Sequence, residues 1–257
     1  MHLNTLKRAA VAFALALPAA AAATVAAAPA AQADGCYTWS RELRQGHTGE
    51  DVRQLQIRVA GWAGYGGIVD IDGIYGPETT GAVRRFQAAY GLRVDGMAGA
   101  ETFAEIYALQ DEDCTPRHFS NVELDNGCGG GGFGGGPLTP AQTRENSLRL
   151  MWKLEALRHN LGDDPVQVSS GFRSIPCNRA VGGASNSQHL YGNGADVNSA
   201  DDSLCSIART ARSHGFSGIY GPGYPDHDDH VHVDARAEND RDGIPNRTSW
   251  AAPDCDV

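Results

Sequence analysis

Two short stretches of this chain concentrate side chains that bind metals and move protons. Ser187-Gln188-His189-Leu190-Tyr191-Gly192-Asn193-Gly194-Ala195-Asp196 sets a histidine and an aspartate seven positions apart among small residues. His227-Asp228-Asp229-His230-Val231-His232-Val233-Asp234 packs three histidines and three aspartates into eight positions. A lone histidine is an ordinary core or surface residue, but the joint occurrence points to a metal. Zinc takes nitrogen and oxygen ligands in a tetrahedron, and a catalytic zinc keeps one position for water. His189, Asp196 and His232 would supply three ligands and leave the fourth position open. The alternation of His230, His232 and Asp234 has the period of a strand and places them on one face. His230 is therefore an alternative fourth ligand, which would make the ion structural, or a second acid.

Such side chains need elements to hold them. Thr139-Pro140-Ala141 reads as a helix start, with threonine as cap and proline in the first turn. Leu148, Met151, Trp152, Leu154 and Leu157 continue it as an apolar face suited to packing on a sheet. Pro165 to Ser170 reads as a strand feeding Arg173, Ser203 to His214 as helix, and Ser217 to Tyr220 as another strand. Asn178, Ser185 and Asn186 fall between Arg173 and His189 and are expected to hold that loop.

The first half of the chain follows another plan. Val52, Leu55 and Val59 keep helical spacing behind the acidic pair Glu50-Asp51, and Val83, Phe86 and Tyr90 share the face of a second helix. An Asp-Gly-x-x-Gly loop occurs at Asp72 and again at Asp95, where it leads into a third helix over Thr102 to Tyr107. Its glycines suit the positive-φ positions of tight turns. From Gly127 to Pro137 the chain offers almost no side chain to bury, so this stretch is expected to act as a flexible tether. The layout is then a leader over 1–33, a helical domain over 34–126, a linker over 127–137 and a second domain over 138–257.

Composition bounds the setting. Lys7 and Arg8 precede an uncharged, alanine-dominated run that ends in Ala31-Gln32-Ala33, the plan of a cleaved signal peptide and of export. A membrane anchor is the alternative reading of that run, disfavoured by Pro18, Pro29 and the weak lipophilicity of alanine. Cleavage would leave 19 basic against 31 acidic side chains and move the formal charge from −10 to −12, a poor match to nucleic acid. All six cysteines follow the leader, and an even count in an exported chain implies disulfides. Sequential pairing, Cys36–Cys114, Cys128–Cys177 and Cys205–Cys255, is expected because the first pair brackets the first domain.

Two resemblances sharpen this picture. Leu43 to Leu109, with G-x-x-G-x-x-V-x-x-L-Q at Gly46–Gln56 and D-G-x-x-G followed by A-V-x-x-F-Q, resembles the three-helix peptidoglycan-binding domain of wall hydrolases. The S-x-H-x-x-G-x-A-x-D motif at Ser187–Asp196, the later H-x-H and the upstream Gly171-Phe172-Arg173-Ser174 resemble the zinc D-Ala-D-Ala carboxypeptidases and the related lysostaphin and hedgehog-type metallopeptidases. The resemblance implies an α+β protein: a small N-terminal three-helix bundle followed by a hedgehog-type domain with an antiparallel sheet and flanking helices.

It further implies one catalytic zinc on His189, Asp196 and His232, with Asp229, three before the last ligand, as general base. Arg173 would bind the substrate carbonyl or carboxylate, His227 would assist with protons or the oxyanion, and Ser187 would join Arg173 in substrate binding. Zinc lowers the pKa of coordinated water towards ~7, a base removes its proton, and an arginine fork suits a terminal carboxylate. The expected reaction is hydrolysis of the D-Ala-D-Ala bond of wall stem peptides by a monomer acting on peptidoglycan outside the cell, off the membrane, and extending to the D-alanyl bond of cross-links. Cleavage at L-Ala-D-Glu or at a cross-bridge is the alternative within the same chemistry. A wall-binding protein without catalysis is the alternative of another class.

Overall fold

The computed structural model describes residues 36–125, 128, 131–238 and 248–257. The expected leader over 1–33 and part of the glycine-rich stretch lie outside the described residues. Among the described residues no helix is long and apolar enough to cross a membrane.

Three helices form the first half: α1 (Glu50–Val59), α2 (Pro77–Ala89) and α3 (Ala100–Ala108). Val52, Leu55, Val83, Phe86, Phe103 and Ile106 close a core with Trp39 and Trp62. The two Asp-Gly-x-x-Gly loops are fastened in the same way by buried glutamines. Gln56 Nε2 donates to Asp72 Oδ1 and to the Ile74 carbonyl, both at 3.0 Å, while its Oε1 accepts the Gly73 N–H at 2.8 Å. Gln87 repeats this on Asp95 Oδ1 at 3.0 Å, the Met97 carbonyl at 2.9 Å and the Gly96 N–H at 2.9 Å. Gly73 and Gly96 have φ of 77° and 75°, so the recurring glycine meets a conformational need at both loops.

The second half is built on a five-stranded sheet of order β1-β2-β4-β3-β5: β1 Gln167–Ser170, β2 Gly194–Asn198, β3 Gly218–Tyr220, β4 Val231–Asp234 and β5 Ser249–Ala251. All neighbours are antiparallel except β3 and β5. The sheet is therefore mixed rather than wholly antiparallel, because β5 reverses the direction of β4 yet lies beside β3. Side chains alternate across the strands. Ala195, Val197, Ile219, Val231 and Val233 enter a core with α5 (Pro140–Asn160) and α6 (Leu204–Ala211). Asp196, Tyr220, His232 and Asp234 have the opposite parity and are left for the other face.

Helix α5 begins as its sequence dictates, with a reciprocal Thr139–Gln142 capping box and Pro140 in the first turn. Its burial is two-sided. Leu150, Met151, Leu154 and Leu157 join the sheet core, while Trp152 and Ala156 join the core of the first half. Polar bonds reinforce this shared wall. Lys153 Nζ donates to the Gly215 carbonyl at 2.8 Å, His214 Nδ1 to the Gly61 carbonyl at 2.7 Å, and the Gly64 N–H to the Ser213 carbonyl at 3.0 Å.

Phe119 and Leu124, the latter on α4 (Asn121–Asp125), also belong to the sheet core. The described part of the glycine-rich stretch lies against the second half. Phe133 is buried near Phe172, with ring centroids 5.8 Å apart, Cys128 is bonded to Cys177, and the Gly135 carbonyl accepts the Ile175 N–H at 2.9 Å. Phe133 and Cys128 supply the side chains that the glycines lack. The disulfides Cys36–Cys114, Cys128–Cys177 and Cys205–Cys255 follow the sequential pairing.

Candidate metal centre

Strand register brings two of the candidate ligands together, since Asp196 on β2 lies directly opposite His232 on β4. His189 arrives from the 3-10 turn Gln188–Tyr191 that precedes β2. Its Nε2 lies 3.1 Å from Asp196 Oδ1 and 3.1 Å from His232 Nδ1, and His232 Nδ1 is 2.9 Å from the same Asp196 oxygen. With ligand atoms about 2.0–2.1 Å from zinc, tetrahedral neighbours lie roughly 3.3 Å apart, so this triangle is near the size that zinc requires. All three residues are buried.

The surroundings fix which atoms face inward. His189 Nδ1 donates to the Gly171 carbonyl at 2.7 Å, which turns Nε2 towards the triangle. A Cβ on Gly171 would lie 2.1 Å from the Leu124 carbonyl oxygen, so only glycine lets the backbone run this close. His232 Nε2 donates to Asp234 Oδ2 at 3.0 Å, which turns Nδ1 inward. Asp196 Oδ2 accepts from Arg173 Nη2 at 2.6 Å, leaving Oδ1 for the triangle.

Electrostatics also call for a cation. Burial works against charge on both imidazoles and holds His189 below its ordinary value. Burial opposes charge on His232 too, but hydrogen bonds to Asp196 and Asp234 outweigh it and raise this ring to about 9. Burial works against the charge of Asp196 as well, yet His189 and His232 hold its carboxyl far below the usual range. The donor set thus keeps a positive charge at its centre, a place that a proton or a divalent ion can fill. The donor types, their spacing and the outward N–H bonds fit zinc.

The triangle lies on the wall of a cleft of about 620 Å³ lined also by Arg173, Ser187, Tyr220, Tyr224, His227, His230 and Arg236. Arg173, expected to meet substrate, is committed in part to the protein: Nη2 to Asp196 and Nε to Ser170 Oγ at 2.9 Å. His227 Nδ1 donates to the Pro225 carbonyl at 2.7 Å, which leaves Nε2 for chemistry, and burial lowers its pKa. Asp229, the expected base, does not line the cleft. Its side chain is 91% exposed and accepts from His230 Nδ1 at 2.7 Å, while His230 Nε2 lies 3.7 Å from Asp196 Oδ1. The connection between Asp229 and the triangle therefore passes through an imidazole.

Asp234, Arg236 and Tyr220 were not assigned roles from sequence. The signal for two of them is strand parity, since Asp234 shares the face of His232 and Tyr220 on β3 lies opposite His232, whereas Arg236 follows β4 in the 3-10 turn Arg236–Glu238.

A peptidase M15 family model matches residues 118–234, and a putative peptidoglycan binding domain model matches residues 48–106. The zinc D-Ala-D-Ala carboxypeptidase of Streptomyces albus G is 50% identical over 257 residues, covering 99% of this chain and 96% of that protein. The spore cortex-lytic enzyme of Bacillus subtilis (strain 168) is 48% identical over 61 residues, 23% of this chain and 19% of that protein. The crystal structure of a Burkholderia AP3 phage endolysin matches over 43% of this chain and 36% of its own at 29% identity, with a TM-score of 0.25. Similarity over nearly the full length at this level, together with the matching peptidase M15 model, means that the chain belongs to the peptidase M15 family of zinc metallopeptidases.

Proposed function

We propose that this chain is a secreted, monomeric zinc D-Ala-D-Ala carboxypeptidase that acts on peptidoglycan stem peptides. The observation that carries the reading is the convergence of His189 Nε2, Asp196 Oδ1 and His232 Nδ1 within 3.1 Å of one another beside an open cleft. In this reading those three atoms hold one zinc ion, which supplies Lewis acidity towards water and the scissile carbonyl. Residues 34–126 bind the wall, residues 138–257 carry the chemistry, and 127–137 join them.

The chain's own residues supply the rest. Arg173 anchors Asp196 and presents its remaining donors to a carbonyl or the terminal carboxylate of D-alanine. The Asp229–His230 pair holds and moves the proton at His230 Nε2. His227 Nε2 faces the developing charge or the departing amine, and Ser187 lies at the cleft for hydrogen bonding to the peptide. The same residues can serve the D-alanyl bond of a cross-link.

The test is release of D-alanine from a stem peptide ending in D-Ala-D-Ala, stopped by a chelator and restored by zinc. Mass spectrometry of digested wall fragments reads the bond. Products cut at L-Ala-D-Glu or at a cross-bridge would move the activity to another bond, and binding to the wall with no product would leave only an adhesive protein.

A further inference from the structure

Beyond the three candidate ligands, a run of side chains leads from the cleft to one of them. Asp234 is fully buried at the end of β4. Its Oδ2 accepts from His232 Nε2 at 3.0 Å. Among the described residues its other hydrogen bonds come from Arg236: the backbone N–H at 3.0 Å and Nε at 2.9 Å on Oδ1, with Nε at 3.1 Å and Nη2 on Oδ2. The Arg236 guanidinium lies over the Tyr220 ring, 5.2 Å from its centroid, and lines the cleft. One run therefore passes from the cleft through Arg236 and Asp234 to the ring of His232.

The sheet is shaped around this carboxylate. Gly218 is the residue opposite Asp234, and a Cβ there would lie 2.1 Å from Oδ2. Any side chain at 218 would therefore displace the group that orients His232. A surface ion pair needs no such recess. A carboxylate that must hold one imidazole in one orientation does.

We propose that Asp234 and Arg236 are positioning residues for the metal site. Asp234 keeps the His232 proton on Nε2 and its lone pair on Nδ1, and Arg236 fixes Asp234 from both oxygens. The physical basis is general: an imidazole ligand whose second nitrogen is bound to an oriented carboxylate has its tautomer and ring plane set before the ion arrives.

The experiment compares full-length mature wild type with D234N and with D234N/R236M. The double variant removes both charges together, so neither is left buried alone. Zinc dissociation constants come from competition with a chromophoric chelator, the ligand field from the absorption of the Co²⁺ form, and fold integrity from melting of the metal-free protein. Both variants are expected to bind zinc about 10–100-fold more weakly, with an altered Co²⁺ spectrum. The metal-free double variant is expected to melt close to wild type. Imidazole ¹⁵N NMR of zinc-loaded wild type is expected to show the His232 proton on Nε2. Unchanged zinc affinity in the double variant, a proton on Nδ1, or metal loss that only tracks collapse of the metal-free fold would overturn the proposal.

The proposal rests on His232 being a ligand, so H189A is measured alongside. Full zinc affinity in H189A would sink the ligand reading itself. Loss of zinc in H189A with none in D234N/R236M would remove only the role of Asp234 and Arg236.

Discussion

Asp229 accepts from His230 Nδ1, and the other nitrogen of that ring faces Asp196, so proton transfer in the proposed reaction belongs to a coupled pair. The bond to His230 holds the Asp229 carboxyl below its ordinary pKa. If the two act as one unit, D229A and H230A should each lower kcat by about 10²-fold or more, and the double variant should be little worse than either single. Zinc content should stay near one per chain in all three. Additive losses would separate the residues, and full turnover in D229A would remove Asp229 from the chemistry. The convergence of His189, Asp196 and His232 was expected from the joint occurrence of the two motifs and from the resemblance they carry, which also favoured His232 over His230; strand alternation alone put both histidines on one face. The direction taken by Asp229 was not legible in sequence, since it sits one residue outside the alternating stretch, where no periodicity fixes which way a side chain turns. Arg173 was placed at the site by its motif, but its bond to Asp196 depends on β1 lying beside β2, a long-range fact that spacing cannot express.

Among elements, the two Asp-Gly-x-x-Gly loops give the most direct test. Replacing Gln87 with alanine strands the Gly96 N–H and the Met97 carbonyl, both of which it now satisfies. Loss of stability of roughly 2–4 kcal/mol is expected, because unsatisfied buried groups cost about 1–3 kcal/mol each. Q56A should cost a similar amount, since it strands the corresponding groups at Gly73 and Ile74. Urea titration of both variants measures this, and a change under ~0.5 kcal/mol in either would show that the loops close without their glutamine. The helices themselves were readable from three-to-four spacing. The glutamines were visible in the L-Q and F-Q pairs of the repeat, yet nothing local says that an amide one position past an apolar residue will reach a loop 16 residues away in one case and 8 in the other. Strand β5 is another limit: its direction relative to β3 is set by a reversal after β4 rather than by its own three residues.

At the scale of the whole molecule, α5 makes one body of two sequence domains. Trp152 and Ala156 complete the core of the first half, while Leu150 and Leu154 complete that of the second. The glycine-rich stretch was expected to act as a flexible tether, because composition reports the stiffness of a segment and not what its neighbours bury. Calorimetry should therefore give a single unfolding transition with equal calorimetric and van't Hoff enthalpies, and two resolved transitions would show that the shared wall does not couple the halves.

The same joint should respond to acid through His214. This buried imidazole donates from Nδ1 to the Gly61 carbonyl and accepts at Nε2 from Asn160 Nδ2, 3.0 Å away, so it is built to be neutral. Burial lowers its pKa from an ordinary value of 6.5 to about 4. Its contribution is then complete above pH 6.5 and is lost as pH falls through 4, because the unfolded ring takes up a proton that the folded ring resists. The window corresponds to about 3 kcal/mol of unfolding free energy. His214→Asn retains a donor for Gly61 but does not titrate, so the stability advantage of wild type over H214N should shrink by about that amount between pH 7 and pH 4. A constant difference across the window would mean that the ring takes up its proton with the same pKa in the folded and unfolded chains, and the joint would then carry no acid sensitivity of its own.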